Sequence, residues 1–277
     1  MTKAYNNLEF LNSPSARTIR VLAEMLEPAD RIRRHRIWNT VVFFGSARSI
    51  PHREAAKGLR LVNERMSRAK KITAKLRKMK LAAETNVKLG KYYDAAAELS
   101  YRLTKWFHSP EMRQYNFYIC SGGGPGMMEA ANRGAKKANG RSIGLNISLP
   151  MEQVPNKFQT PEISFEFHYF FIRKFWFFYL SKAMAVFPGG FGTMDELFEL
   201  LTLLQTEKTQ KSMPIMLFGR EFWNHVVNFD ALVEWGVISP EDMKLFRIED
   251  DVDSAFKYLQ TQIRKNHQLY LRKRKSP

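Results

Sequence analysis

The sequence predicts an α/β fold, a doubly wound parallel sheet with a helical insertion after its first strand. Three observations predict it. Short apolar or β-branched runs, such as residues 40–44 and 183–187, lack polar alternation, as strands buried on both faces do. These runs alternate along the chain with amphipathic segments of helical period. Two of them break directly into glycines and restart as helices, at residues 121–126 and 188–192.

Taken in order, Ser13-Pro14 reads as an N-cap with proline at the first helical position, opening a helix expected to end before Pro28. A basic run at 31–36 closes this N-terminal helical extension (1–36) and leads into the strand 40–44, which ends at Gly45-Ser46. Residues 52–90 contain no proline and carry apolar side chains at Val62, Met66, Ala69, Ile72, Leu76, Met79, Ala83 and Val87. Steps of three and four predict a long helix or helical hairpin with a coiled-coil-like seam, ended by Gly90. Tyr92, Ala96, Leu99, Leu103 and Trp106 mark another amphipathic helix.

The next strand, 115–120, runs into Ser121-Gly122-Gly123-Gly124-Pro125-Gly126 and a helix over 127–138. Strands follow at 143–149 and 163–167. The aromatic segment 168–182 is apolar nearly all round, which predicts a helix buried against the sheet or another subunit. Strand 183–187 feeds Pro188-Gly189-Gly190-Phe191-Gly192, and a helix runs from there to about Thr206. A strand at 213–218, helices at 221–235 and 252–268, and a frayed basic tail (268–277) complete the reading. With no repeat and no linker, all 277 residues are expected to form one Rossmann-like nucleotide-binding domain.

The net charge of +17 is unevenly placed: residues 52–90 contribute +9 and 261–277 contribute +6, leaving +2 for the rest. The excess therefore belongs to peripheral helices, where a solvated face is the simpler reading and a nucleic-acid contact the weaker one. One cysteine, Cys120, excludes a disulfide framework and fits a reducing, cytoplasmic location. Charged residues interrupt the greasiest stretch, 165–180, short of the ~20 apolar residues a membrane helix needs, so no membrane partner is expected. The six histidines show no metal-ligand spacing, and no lysine is singled out for a pyridoxal phosphate Schiff base. Neither a metal nor an organic cofactor is expected.

Both glycine turns, and Gly45-Ser46 after the first strand, should lie at the carboxyl edge of the sheet, where open α/β sheets bind ligands. Glycines let backbone amides approach an oxyanion, and a helix start adds unpaired donors and a positive dipole end. Thr193 and Glu196 have the spacing of a capping box, which by itself needs no ligand. A capping box does not call for Gly189, Gly190 and Gly192, however, and loop glycines cost entropy. No Gly-Lys-Ser/Thr follows either turn, and Met127 stands where a dinucleotide fingerprint needs its third glycine. NAD, FAD and P-loop ATP chemistry are disfavoured; a mononucleotide or sugar phosphate fits.

Together, Ser121-Gly122-Gly123-Gly124-Pro125-Gly126-Met127-Met128-Glu129-Ala130-Ala131-Asn132 and Pro188-Gly189-Gly190-Phe191-Gly192-Thr193-Met194-Asp195-Glu196 resemble the LOG family, often labelled "lysine decarboxylase". The similarity spans roughly 41–218, without the insertion 52–90. It implies a homodimer or larger assembly that hydrolyses the N-glycosidic bond of purine nucleoside 5′-monophosphates. AMP or a cytokinin-type N6-modified AMP would be the substrate, giving free base and ribose 5-phosphate. By position, the resemblance makes Arg173 and Glu196 the catalytic pair. It gives substrate contacts to Glu152, Lys174, Gly190, Phe191, Gly192, Thr193, Met194, Asp195 and Thr202. Gly45, Ser46, Gly122, Gly123 and Gly124 join them as the other edge loops. The chemistry is sensible on its own terms, since a carboxylate stabilises an oxocarbenium-like transition state or activates water. Two alternatives use the same sequence differently: a non-catalytic nucleotide sensor, and a nucleic-acid-associated protein acting through the basic insertion and tail.

Overall fold

The computed structural model describes residues 2–150, 154–209 and 211–275. A short helix α1 (Leu8–Asn12) and a turn at Pro14–Ala16 precede α2 (Arg17–Arg34). Then come β1 (Asn39–Phe44), α3 (His52–Arg68), α4 (Ala74–Phe107), β2 (Phe117–Ser121), α5 (Met127–Lys137) and β3 (Ser142–Ile147). The chain continues through β4 (Ser164–Phe167), α6 (Phe170–Leu180), β5 (Ser181–Val186), α7 (Phe191–Gln205) and β6 (Ile215–Phe218). It closes with α8 (Arg220–Val226), α9 (Phe229–Glu234), β7 (Phe246–Glu249) and α10 (Val252–Lys275).

Among the described residues, seven strands form one all-parallel sheet in the order β4-β3-β2-β1-β5-β6-β7. The doubly wound α/β expectation holds. A parallel sheet must be covered on both faces, and side chains alternate along a strand. In β1, Val42 and Phe44 enter a core with Trp176 and Phe177 of α6 and Leu197 and Leu200 of α7. Val41 and Phe43 enter the opposite core with Leu99 and Leu103 of α4, Ala131 of α5 and Leu259 of α10. After β1 the chain adds strands on one side, out to β4, and then β5 returns to the other side of β1. The reversal lies between β1 and β5, and that is where such sheets open a crevice at their carboxyl edge.

Several sequence expectations are corrected. The first long helix starts at Arg17 and does not stop before Pro28; it passes through that proline to Arg34. Gly90 does not end a helix either. The insertion breaks earlier, between Arg68 and Ala74, where Thr73 caps α4 by accepting a hydrogen bond from the Leu76 amide (3.2 Å). From there α4 continues through Gly90 to Phe107, merging the two predicted helices. A Cβ at Gly90 would lie 2.8 Å from the Cα of His52, so the glycine serves the close crossing of α3 and α4.

The predicted helix 221–235 is two helices, because Asn228 interrupts it and caps α9 by accepting from the Ala231 amide (3.0 Å). The four-residue edge strand β7 was not expected, its run Phe246-Arg247-Ile248-Glu249 being too short for a clear period. Finally α10 carries on to Lys275, where a frayed tail was expected. No glycine or proline interrupts residues 252–275. No helix among the described residues is long and apolar enough to cross a membrane.

Candidate active site

Strand β5 is buried along nearly its whole length and delivers the buried Phe187 and Pro188 to the carboxyl edge. There the loops after β1 and β5 join, the Ser46 amide donating to the Pro188 carbonyl (2.9 Å). Gly189 lies under the start of α7, its Cβ position 2.1 Å from Oγ1 of Thr193. Only glycine fits there. Gly190 and Gly192 are different, since a Cβ at either would meet nothing within 4 Å. Their space is open cleft.

Helix α7 begins at Phe191 with Gly190 as its N-cap, so the capping-box reading fails. Thr193 is the third helical residue and Glu196 the sixth, and no side chain caps the helix. The Thr193 and Met194 amides both reach the Gly190 carbonyl (3.0 Å each). The amides of Phe191 and Gly192 precede the first helical hydrogen bonds and lie at the positive end of the dipole.

Glu196 is 3% exposed, and Nη2 of Arg173 stands 3.8 Å from its Oε1. That separation gives attraction without a hydrogen bond. Oε2 of Glu196 and Nε of Arg173 have no hydrogen-bond partner. The Arg173 guanidinium lies over the rings of Phe170 (5.1 Å) and Phe177 (5.6 Å). Burial pushes the Glu196 carboxyl up to about 7, against the opposing pull of Arg173 and Lys174. Burial also pushes the Arg173 pKa down, while the Glu196 charge resists. A buried carboxyl and a half-buried guanidinium, neither fully satisfied, thus face one cleft.

The cleft is about 1040 Å³, at the large end of small-molecule sites. Of the predicted residues it brings together Gly45, Ser46, Gly122, Arg173, Gly190, Phe191, Gly192, Thr193, Met194 and Glu196. Lys174 and Asp195 do not line it. They pair with each other (2.7 Å), and Lys174 also pairs with Glu199 (2.8 Å). Burial, the largest influence on Lys174, lowers its pKa, but these two acids together raise it.

Thr202 is exposed on α7 and donates to the Phe198 carbonyl (2.8 Å), away from the cleft. Gly123 and Gly124 are buried behind it, their carbonyls accepting hydrogen bonds from the side chain of Asn156 (2.9 and 3.0 Å). They hold the turn that presents Gly122. Glu152 lies outside the described residues.

Sequence reading missed one whole side of the cleft. Thr85, Lys88, Leu89 and Tyr92 reach it from α4, and Glu221, Phe222, His225 and Val226 reach it from α8. Lys88 and Glu221 form an ion pair that joins the two helices. The insertion is therefore part of the site, although its charge reads as peripheral in the sequence. One signal for α8 was available: it follows β6, beside β5, so its start must lie at the same edge. Among the described residues no group of three or more His, Cys, Asp or Glu is placed to hold a metal.

Among curated proteins the chain finds no match. Among solved structures it is similar to TM1055, a structural-genomics target, at 16% identity and a TM-score of 0.46, over 80% of this chain and 99% of that one. It is also similar to a molybdenum cofactor binding protein from the phototrophic bacterium Rippkaea orientalis. That match has 20% identity and a TM-score of 0.42, over 61% of this chain and 88% of that one. A Moco carrier protein from Chlamydomonas reinhardtii matches at 17% identity and a TM-score of 0.44, over 82% and 98%. Residues 128–259 match the family model described as possible lysine decarboxylase. That stretch, which contains the whole of the second glycine motif, is a LOG-family domain.

Proposed function

We propose that the protein hydrolyses the N-glycosidic bond of a purine nucleoside 5′-monophosphate, AMP or a close relative, to free base and ribose 5-phosphate. The observation that carries this reading is the Glu196 carboxyl. It is buried, raised to about 7, lacks a partner at Oε2, and lies in a cleft beside a helix start that no side chain caps. The 5′-phosphate sits on the amides of Phe191 and Gly192, and this remote binding energy fixes the sugar so that C1′ faces Glu196. As the bond between C1′ and the base nitrogen breaks, its electron pair leaves with the base, which takes up a proton from solvent. The Glu196 carboxylate stabilises the oxocarbenium-like sugar and accepts a proton from the water whose oxygen bonds to C1′. Arg173 holds the Glu196 charge and hydrogen-bonds the departing base. Lys174, Asp195 and Glu199 form an ion-pair cluster that positions α6 against α7.

The family description raises decarboxylation as an alternative. A Schiff-base lysine needs a lowered pKa. Lys88, on the cleft, and Lys174, behind it, are both raised by acidic partners, which weighs against an amine nucleophile. This reading includes a cytoplasmic homo-oligomer, with the exposed outer face of α6 (Phe171, Phe175, Tyr179) packed against a second copy. Light scattering checks the assembly, and a monomer at working concentration removes that part.

The decisive test is incubation of the purified protein with AMP while adenine is followed by chromatography. Release of adenine with equimolar ribose 5-phosphate is expected. No base from any purine or pyrimidine monophosphate removes the hydrolase. Calorimetric binding without turnover would instead establish a nucleotide sensor.

A further inference from the structure

More than half of the net charge of +17 sits on the hairpin of α3 and α4, where residues 52–90 hold twelve Lys or Arg against three Glu, a net +9. Two of those acids pair within the hairpin, Glu64 with Arg60 (4.0 Å) and Glu84 with Lys80 (3.7 Å). Lys88 pairs with Glu221 of α8. The nine remaining Lys and Arg are all exposed, and among the described residues none of them forms an ion pair. Glu152, the acid outside the described residues, can offset only one further charge.

The hairpin is thin. α3 packs against α4 and against no other element to a comparable extent. Ala55 and Gly90, at its base, are buried, and no residue from 56 to 89 is. The seam side chains Val62, Met66, Met79 and Val87 are only half-buried, although they hold the two helices together. At 17 residues α3 is roughly 25 Å long. A solvated helical face ordinarily intersperses both signs, whereas charge of one sign at this density repels itself. A polyanion laid along the hairpin relieves that repulsion.

The side chains decide which polyanion. An anionic membrane surface needs an apolar face to bury beside the charge. Leu61 (47% exposed) and Leu81 (66%) stand out from the hairpin, but no apolar side chain lies three or four residues from either, so neither helix carries an outward apolar stripe. Single-stranded nucleic acid is held on aromatic platforms, and residues 52–90 contain no Phe, Tyr or Trp. A duplex needs neither, because its regularly spaced phosphates are met by Lys and Arg alone. We propose that the α3–α4 hairpin is a docking arm for double-stranded nucleic acid, gripping phosphates without reading the base sequence. Its outer end is the turn between the helices, where Lys70, Lys71 and Lys75 are exposed. The arm does not rest on the chemistry of the cleft.

The test is fluorescence anisotropy of a labelled duplex of about 20 base pairs, as RNA and as DNA, titrated with the full-length protein. With about four phosphates neutralised, affinity should fall about a hundredfold between 50 and 200 mM salt. Two unrelated sequences should bind within threefold of each other. Lys70→Glu with Lys71→Glu and Lys75→Glu, all at exposed positions, should weaken binding at least tenfold. Glu64→Lys with Glu84→Lys, which removes two of the three acids, should tighten it at least fivefold. Equal binding of the RNA and DNA duplexes supports the arm through their shared phosphate chemistry, and a preference for one of them supports the arm and names its partner. No duplex binding at 50 mM salt overturns it, as does either variant binding within twofold of the unmodified protein. Tighter binding to a single strand of the same length, or to phosphatidylserine vesicles, also overturns it, as does a tenfold dependence on base sequence.

Discussion

The indole Nε1 of Trp176 donates to the backbone carbonyl of Glu24 (3.1 Å), the carbonyl that Pro28, four residues on, has no N–H to occupy. The Glu24 carboxylate meanwhile accepts from the amides of His168 (2.7 Å) and Tyr169 (3.2 Å), just ahead of α6. A proline that would ordinarily break α2 thus leaves an acceptor for the helix that carries Arg173. Replacing Trp176 by Phe leaves that part-buried carbonyl without its indole partner and should cost about 1 kcal/mol. In a Pro28→Ala background, where a helical N–H can take the carbonyl, the same change should cost less. Urea unfolding of the two single variants and the double variant measures the coupling, and strict additivity would remove the proposed link.

Glu196→Gln keeps the shape of the side chain and removes its charge. Base release should fall by roughly 10²–10⁴, the range for a positioned acid or base. Nucleotide affinity should change by only a few-fold, because the phosphate is held by main-chain amides. Full activity in this variant would take Glu196 out of the mechanism.

The pH dependence has a defined sign. Burial raises the Glu196 carboxyl to about 7, so the reactive carboxylate is the minor form below that pH and the major form above it. The value of kcat/KM should therefore climb about tenfold per pH unit on the acid side and level off above about 7. A profile flat from pH 5 to 8 would show that ionisation of Glu196 does not limit the reaction.

Arg173 draws that pKa down from where burial alone would leave it. Arg173→Met should push the acid limb to higher pH as well as slow the reaction. A merely structural role for the guanidinium would lower the rate without moving the limb. The pH–rate profile of the variant separates the two.

Gly90→Val tests the wall supplied by the insertion. The new Cβ would meet the main chain of His52 at 2.8 Å, where no flexible side-chain end can give way. A destabilisation of about 1–3 kcal/mol is expected from overpacking, with loss of nucleotide affinity as α3 pushes α4 off the cleft. Unchanged thermal unfolding would mean that the helices cross further apart.

The strand–helix alternation, the all-parallel sheet and the edge at which the two glycine motifs must lie were all legible in the order of the residues. Those features are local: apolar runs of strand length, glycines that break them, and helical periods that follow. The same order also marked Arg173 and Glu196 through motif resemblance, and the fold brings them to 3.8 Å. Features that depend on contacts between distant residues emerged only from the packed fold. Pro28 stays inside a helix because an indole about 150 positions away takes the freed carbonyl. Gly90 is helical because α3 crosses there, and Lys88 meets Glu221 because α4 folds across the sheet's carboxyl edge. Nor can spacing alone raise a carboxyl to about 7, since desolvation is a property of everything packed around the group.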